Sequence, residues 1–267
     1  CFGDALHLTP FQSFMKDIVL LVLITFIFIK RNEIKPLFVE TASTYAAYAG
    51  FIASFCFSMY CYMHLPVIDF RPYAIGSSIP EGMQLPPNAK KDSVVMVFIY
   101  EKDGKQLELN MDQLSTLDDT YKFIDRKDKV IVEGDKPKIH DFTINSVDGS
   151  DITEDVLKQP SVFLLVAYDI KHSDEGVQSQ VNDFVALCQK AGVEFMGLTA
   201  SAPKEVDDFR HQHNSTFDYY FTDGTTLKTI VRSNPGLVLL QNGVVKGMWH
   251  HNDFPTFDEV KKMYLNK

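Results

Sequence analysis

Apolar residues run almost unbroken through two early stretches of this chain and alternate with polar ones afterwards. Ile18–Ile29 reads IVLLVLITFIFI, and Phe11, Phe14 and Met15 extend it back toward Pro10. Thr9 ahead of Pro10 is a helix start, because Thr can cap the unpaired N–H groups and Pro suits the first turn. Thr41–Leu65 follows, 25 residues without a single Asp, Glu, Lys or Arg. At ~1.5 Å rise per residue it reaches across a ~30 Å hydrocarbon core with room to tilt. The pattern predicts two transmembrane helices, at about 10–30 and 41–65. Ala46, Gly50 and Ser54 place small residues at four-residue spacing, which lets membrane helices pack closely.

The polar pattern begins at His64. Residues 66–92 hold five of the twelve prolines and read as an extended linker or surface strap. Residues 93–137 read as a small β element: VVMVFIYE and KQLELN flank the turn Lys102–Asp103–Gly104, and YKFIDR and KVIVEG are expected to add a second pair. From 138 to 267 strands and helices alternate. Ser161–Tyr168 (SVFLLVAY) is an apolar run suited to a strand buried on both faces. Val177, Val181, Phe184, Val185 and Cys188 mark one helix face. Asn242–Gly243 between GLVLLQ and VVKGMWH is the strongest hairpin signal in the chain. Such an order predicts a layered α/β domain around a mixed sheet.

Charge sharpens this division. Of 35 acids and 26 bases, four of each lie in residues 1–65, leaving 31 acids against 22 bases in the remainder. An acidic soluble part lacks the basic footprint that nucleic acid requires. The loop Lys30–Glu40 carries Lys30, Arg31 and Lys35, so the positive-inside rule puts it in the cytoplasm and the chain after Leu65 on the outer side. Lys16 and Asp17 read as an interfacial pair, with a proton relay as the alternative. Cys1 stands where Met would begin a complete chain, and we expect a fragment whose upstream membrane helices are missing.

HDFTINSVDG (140–149) and NPGLVLLQNGVVKG (234–247) resemble segments of thioredoxin-fold domains of the peroxiredoxin or membrane-tethered thiol-reductase type. The resemblance implies a cis-proline role for Pro235. It also places the family's catalytic Cys after the buried strand, in Tyr168–Gly176, where this chain has no cysteine. Loss of thioredoxin-type activity in this domain is therefore expected. CFGDALHLTPFQSF and YMHLPVIDFRPYAIG resemble the C-terminal part of DoxX-like bacterial membrane proteins related to the methylamine-utilisation membrane protein. The implied fold class is α-helical transmembrane segments followed by an α/β thioredoxin-like domain. The implied location is the bacterial inner membrane, with that domain in the periplasm.

Four cysteines at 1, 56, 61 and 188 make no disulfide framework and no zinc-type pair. Cys56 and Cys61 point roughly 140° apart on a straight helix and cannot bond to each other. The topology brings Cys1 and Cys61 to the same membrane face, so Cys1, Cys61 and Cys56 are redox candidates, with small packing residues as the alternative. Cys188 reads as a buried structural thiol. His211 and His213 make a poor metal pair on a helix, and His250–His251 with Asp253 reads as a solvated loop. No metal or cofactor motif is present. Asn214–Ser215–Thr216 fits a glycosylation sequon without weight in a bacterial protein. Three functions remain open: a redox-linked membrane component whose outer domain binds an envelope partner, a non-redox interaction or assembly module, and a thiol oxidase passing electrons to quinone.

Overall fold

The computed structural model describes residues 8–34, 39–90, 93–102, 104–116, 120–132 and 134–265. Thr9 caps helix α1 (Pro10–Lys30) in a capping box, its side chain accepting the Gln12 N–H while Gln12 reaches back to the Thr9 N–H at 2.9 Å. Helix α2 (Glu40–Met63) ends at His64, where the backbone turns extended. Both helices are long and apolar enough to cross a membrane, with mean hydropathies of 2.0 and 1.3. Their apolar side chains face outward, Leu21, Phe28 and Phe51 among them. In water each such Leu, Ile or Phe would forgo on the order of 1.5–3 kcal/mol of burial.

The chain divides into two compact units, residues 1–81 with 141–267 and residues 82–140. In the first, a five-stranded sheet is centred on β4 (Val162–Val166), every residue of which is buried. Strand β4 pairs in parallel with β5 (Glu194–Thr199), which continues to β6 (Tyr219–Phe221) at the edge. On its other side β4 pairs antiparallel with β7 (Gly236–Gln241), and β7 turns at Asn242–Gly243 into β8 (Val244–His250). Positive φ at both turn residues, 48° and 74°, explains the Asn-Gly pair. The Asn234–Pro235 peptide ahead of β7 is cis. This strand order, with helices between the strands and a cis-proline before the final hairpin, is that of a thioredoxin-like domain.

Alternation along β4 sends Phe163 and Leu165 to the face covered by α5 (Gln178–Ala191), α6 (Pro203–His213) and α8 (Phe257–Val260). Phe184 of α5 is the hub of that layer, with the rings of Phe163, Phe254 and Phe257 at 5.0, 5.6 and 5.5 Å. Helix α7 (Gly224–Ile230) is capped by Asp223 and packs on β5.

Residues 66–92 are not one linker. Arg71, Tyr73 and Ile79 are buried, and Gly76, Ser77 and Ile79 exchange backbone hydrogen bonds with Val245 and Gly243. Tyr73 and Ile79 give this strap an apolar reason to pack, which its proline content conceals. The one-turn helix α3 (Ile79–Gly82) closes it.

The second unit is built on an antiparallel sheet of order β2-β1-β3, formed by β1 (Ser93–Lys102), β2 (Lys105–Asn110) and β3 (Lys122–Val132). The second pair expected here is a single strand, β3. Arg126–Lys127–Asp128–Lys129 contains no Gly, Pro or Asn to turn the chain, so it runs on along β1.

Candidate functional site at the cis-proline edge

Loops meet where β4 ends, β7 begins and β8 ends. After β4, Asp169 caps a short helical turn at Ile170–His172 by accepting the Lys171 N–H. Its other oxygen lies 2.8 Å from His172 Nδ1, and this hydrogen bond holds the Asp169 carboxyl below the usual range. The Ile170 N–H donates to Ser201 Oγ at 3.0 Å, joining this loop to the one after β5. Asn234 Nδ2 donates to the Asp169 carbonyl at 2.7 Å, and the Asp174 N–H donates to the Asn234 carbonyl at 2.9 Å. The post-β4 loop is thereby stitched to the cis-proline from both sides.

The third loop follows β8. Ser233 Oγ lies 3.0 Å from His251 Nδ1, accepts the His251 N–H at 2.9 Å and donates to the Pro235 carbonyl at 2.5 Å. His251 Nε2 lies 3.9 Å from Asp174 Oδ2. Serine, histidine and aspartate in a row suggest a nucleophile, but this Ser233 is buried and spends its proton on a carbonyl. It is a latch between two loops.

His250 is buried, and its Nδ1 accepts the Asn252 N–H at 3.2 Å. Burial, then neighbouring His251, pushes its pKa below the ordinary 6.5. The solvated reading expected for His250, His251 and Asp253 is thus corrected at His250 alone; Asp253 is exposed and His251 half-buried. β8 carries His250 inward as its last residue, on the same face as the buried Met248, whereas Lys246 is exposed where the register with β7 shifts by one residue. The same turn grips the end of α2. His64 Nδ1 lies 2.7 Å from Asp253 Oδ2, and Asn252 Nδ2 donates to the Met63 carbonyl at 2.9 Å.

The thiols lie elsewhere. Cys56 and Cys61 are exposed on α2 and unbonded, and Cys1, with the Cys1–Asp4 motif, lies outside the described residues. Cys188 is fully buried on α5, and burial pushes its pKa up to about 12. A thiol held protonated in an apolar core is neither nucleophile nor ligand. Among the described residues no group of His, Cys, Asp and Glu could hold a metal ion. His211 and His213 point to different partners, Asp207 O at 2.7 Å and Glu175 Oε2 at 3.8 Å. Sequence reasoning reached Pro235 but not Asp169, Asp174, Ser233 or Asn234. Ser233 and Asn234 adjoin that proline, which was the available signal.

Comparison with known proteins gives one family match, a domain of unknown function (DUF8463) over residues 94–133. The match coincides with the β2-β1-β3 sheet and lies outside residues 1–14 and 62–76, on which the DoxX-like resemblance rests. A search of curated proteins returned no match. Solved structures similar to the chain include a thioredoxin-like protein from Aeropyrum pernix, 14% identical, covering 46% of this chain and 86% of that one at a TM-score of 0.37. StoA from Bacillus subtilis is 16% identical, covering 45% and 93% at 0.34. The thioredoxin domain of a thiol-disulfide oxidoreductase from Bacteroides vulgatus is 10% identical, covering 45% and 91% at 0.36.

Proposed function

We propose that the chain is a bacterial inner-membrane protein of DoxX-like type whose thioredoxin-like domain lies on the periplasmic side and binds a polypeptide partner without exchanging thiols. One observation carries this reading: the loop Tyr168–Gly176, held to the cis-proline by hydrogen bonds from Asn234 and Asp174, contains no cysteine. Cys188, the one thiol of the domain, is buried and stays protonated. The loop therefore keeps a defined surface without the chemistry of a thiolate near a helix start. Outward-facing apolar side chains on α1 and α2 support the membrane anchor, and Lys30, Arg31 and Lys35 between them support the orientation.

The test uses the full chain in its native membrane. A photoreactive residue replacing His172, whose side chain is 80% exposed, should give a discrete polypeptide adduct. The purified full chain should not accelerate insulin disulfide reduction. Catalysed reduction lost on Cys188→Ser, or no adduct at all, would overturn the proposal.

A second reading moves redox chemistry to α2, where Cys56 and Cys61 are exposed and free. The thiols of Cys61 and Cys1 would form a disulfide, and the two electrons and two protons they release would reduce a quinone to quinol. Alkylation and mass spectrometry before and after adding ubiquinone-1 test it; unchanged labelling of both thiols removes it.

A further inference from the structure

Below the cis-proline loop the first unit has a cavity of about 490 Å³, lined among others by Arg71, Tyr168, Thr225, Lys228 and Arg232. Three cations line one cavity in a part of the chain where acids outnumber bases. Arg71 is a fixed member: its Nε and Nη2 hold the Asp69 carboxylate at 2.7 and 2.5 Å, and Nη1 donates to the Thr229 carbonyl at 3.2 Å. Its side chain is only 8% exposed. Lys228 Nζ stands 5.3 Å over the Tyr168 ring. Among the described residues neither Lys228 nor Arg232 forms an ion pair, and Arg232 acts at longer range on the Asp69 carboxylate that Arg71 holds. The acids nearby are committed, Asp69 to Arg71 and Asp223 to the first N–H groups of α7. Three cations with one carboxylate among them leave a net positive charge, which an anion would offset.

A relay of hydrogen bonds links the cavity's Arg232 segment to the end of α2. Arg232 precedes Ser233, which bonds His251; Asn252, the next residue, holds the Met63 carbonyl at the last residue of α2. Between α2 and Arg71 the chain exposes Val67, Ile68 and Phe70 at 75%, 68% and 61%. Apolar side chains next to basic ones, just beyond a membrane-length helix, suit the boundary where acyl chains meet headgroup phosphates.

We infer that this cavity binds the phosphate of an anionic phospholipid headgroup, with Lys228 and Arg232 supplying the charge and Arg71, held by Asp69, forming the wall. The source of the phosphate rests on the membrane reading above; a phosphate site as such does not. Three measurements on the full chain separate them. Carbonate extraction of native membranes tests the anchor alone. Native mass spectrometry in detergent with phosphatidylglycerol should show a retained lipid, in preference to phosphatidylcholine. The Lys228→Gln/Arg232→Gln variant should lose roughly 30-fold in phosphatidylglycerol affinity, whereas Lys204→Gln/Lys246→Gln should not change it. Both altered pairs are exposed, and an unchanged melting profile will show the variants folded. Equal retention of the two lipids, or no effect of the double substitution, overturns the inference. Titration with inorganic phosphate provides the last arm. Tight binding there without phosphatidylglycerol retention overturns the lipid source, as does a chain that carbonate extracts.

Discussion

Ser233 Oγ lies 3.0 Å from His251 Nδ1 and accepts the His251 backbone N–H at 2.9 Å. One buried hydroxyl thus joins the loop before the cis-proline to the loop after β8. Replacing it leaves partly buried polar groups without a partner, a loss of roughly 1–3 kcal/mol. Ser233→Ala should lower the urea midpoint by that loss divided by an unchanged m-value. A midpoint equal to wild type would show that the latch contributes nothing.

His250 makes the domain sensitive to acid. Its folded pKa lies below 6.5, so the unfolded chain binds the extra proton first, and stability falls as pH drops through 6.5 toward the folded value. His251, His64, Asp253 and Asp174 all act on it, the histidines lowering the pKa and the carboxylates raising it. Urea midpoints of wild type should decrease between about pH 7.5 and pH 5.5. His250→Gln should show a shallower slope over that range; parallel slopes would assign the effect to other groups.

Gly197 sits in β5 directly beside Tyr219 of β6, and a Cβ there would overlap the buried ring. The ring cannot swing away, since Tyr219 is 3% exposed. Gly197→Ala should cost about 1–3 kcal/mol by overpacking, and adding Tyr219→Ala should recover part of the clash. Thermal melts of both variants supply the check.

Cys188 should resist alkylation in the folded chain, because its thiol is buried and its pKa is about 12. Maleimide labelling across a urea titration should follow the unfolding curve of the domain, while Cys56 and Cys61 label in detergent without denaturant. Labelling of Cys188 well below the unfolding midpoint would place it at the surface instead.

Core packing has a single hub that measures the domain's cohesion. Phe184→Ala removes the ring against which Phe163, Phe254 and Phe257 pack. A loss of roughly 3–5 kcal/mol is expected, read by urea denaturation. Phe184→Leu should retain much of it, and similar losses for both would point to edge geometry over volume.

Local features of this chain could be read before any fold was known. A strand buried on both faces needs apolar residues throughout, and VFLLV supplies them. An Asn-Gly pair accepts positive φ, so the β7–β8 hairpin was legible, as was the Thr9 cap of α1. Each depends on neighbours within a few positions. The contacts at the cis-proline edge do not. Ser233 meets His251 across 18 residues, Asn234 meets Asp169 across 65, and Arg71 meets Thr229 across 158. His64 and Asp253 are 189 apart. No periodicity encodes such pairs, because they form only when the sheet brings the ends of β4, β7 and β8 together. The absent cysteine in Tyr168–Gly176 was therefore a property of the sequence alone, while the latch at Ser233, the burial of His250 and the cationic cavity were decided by chain closure.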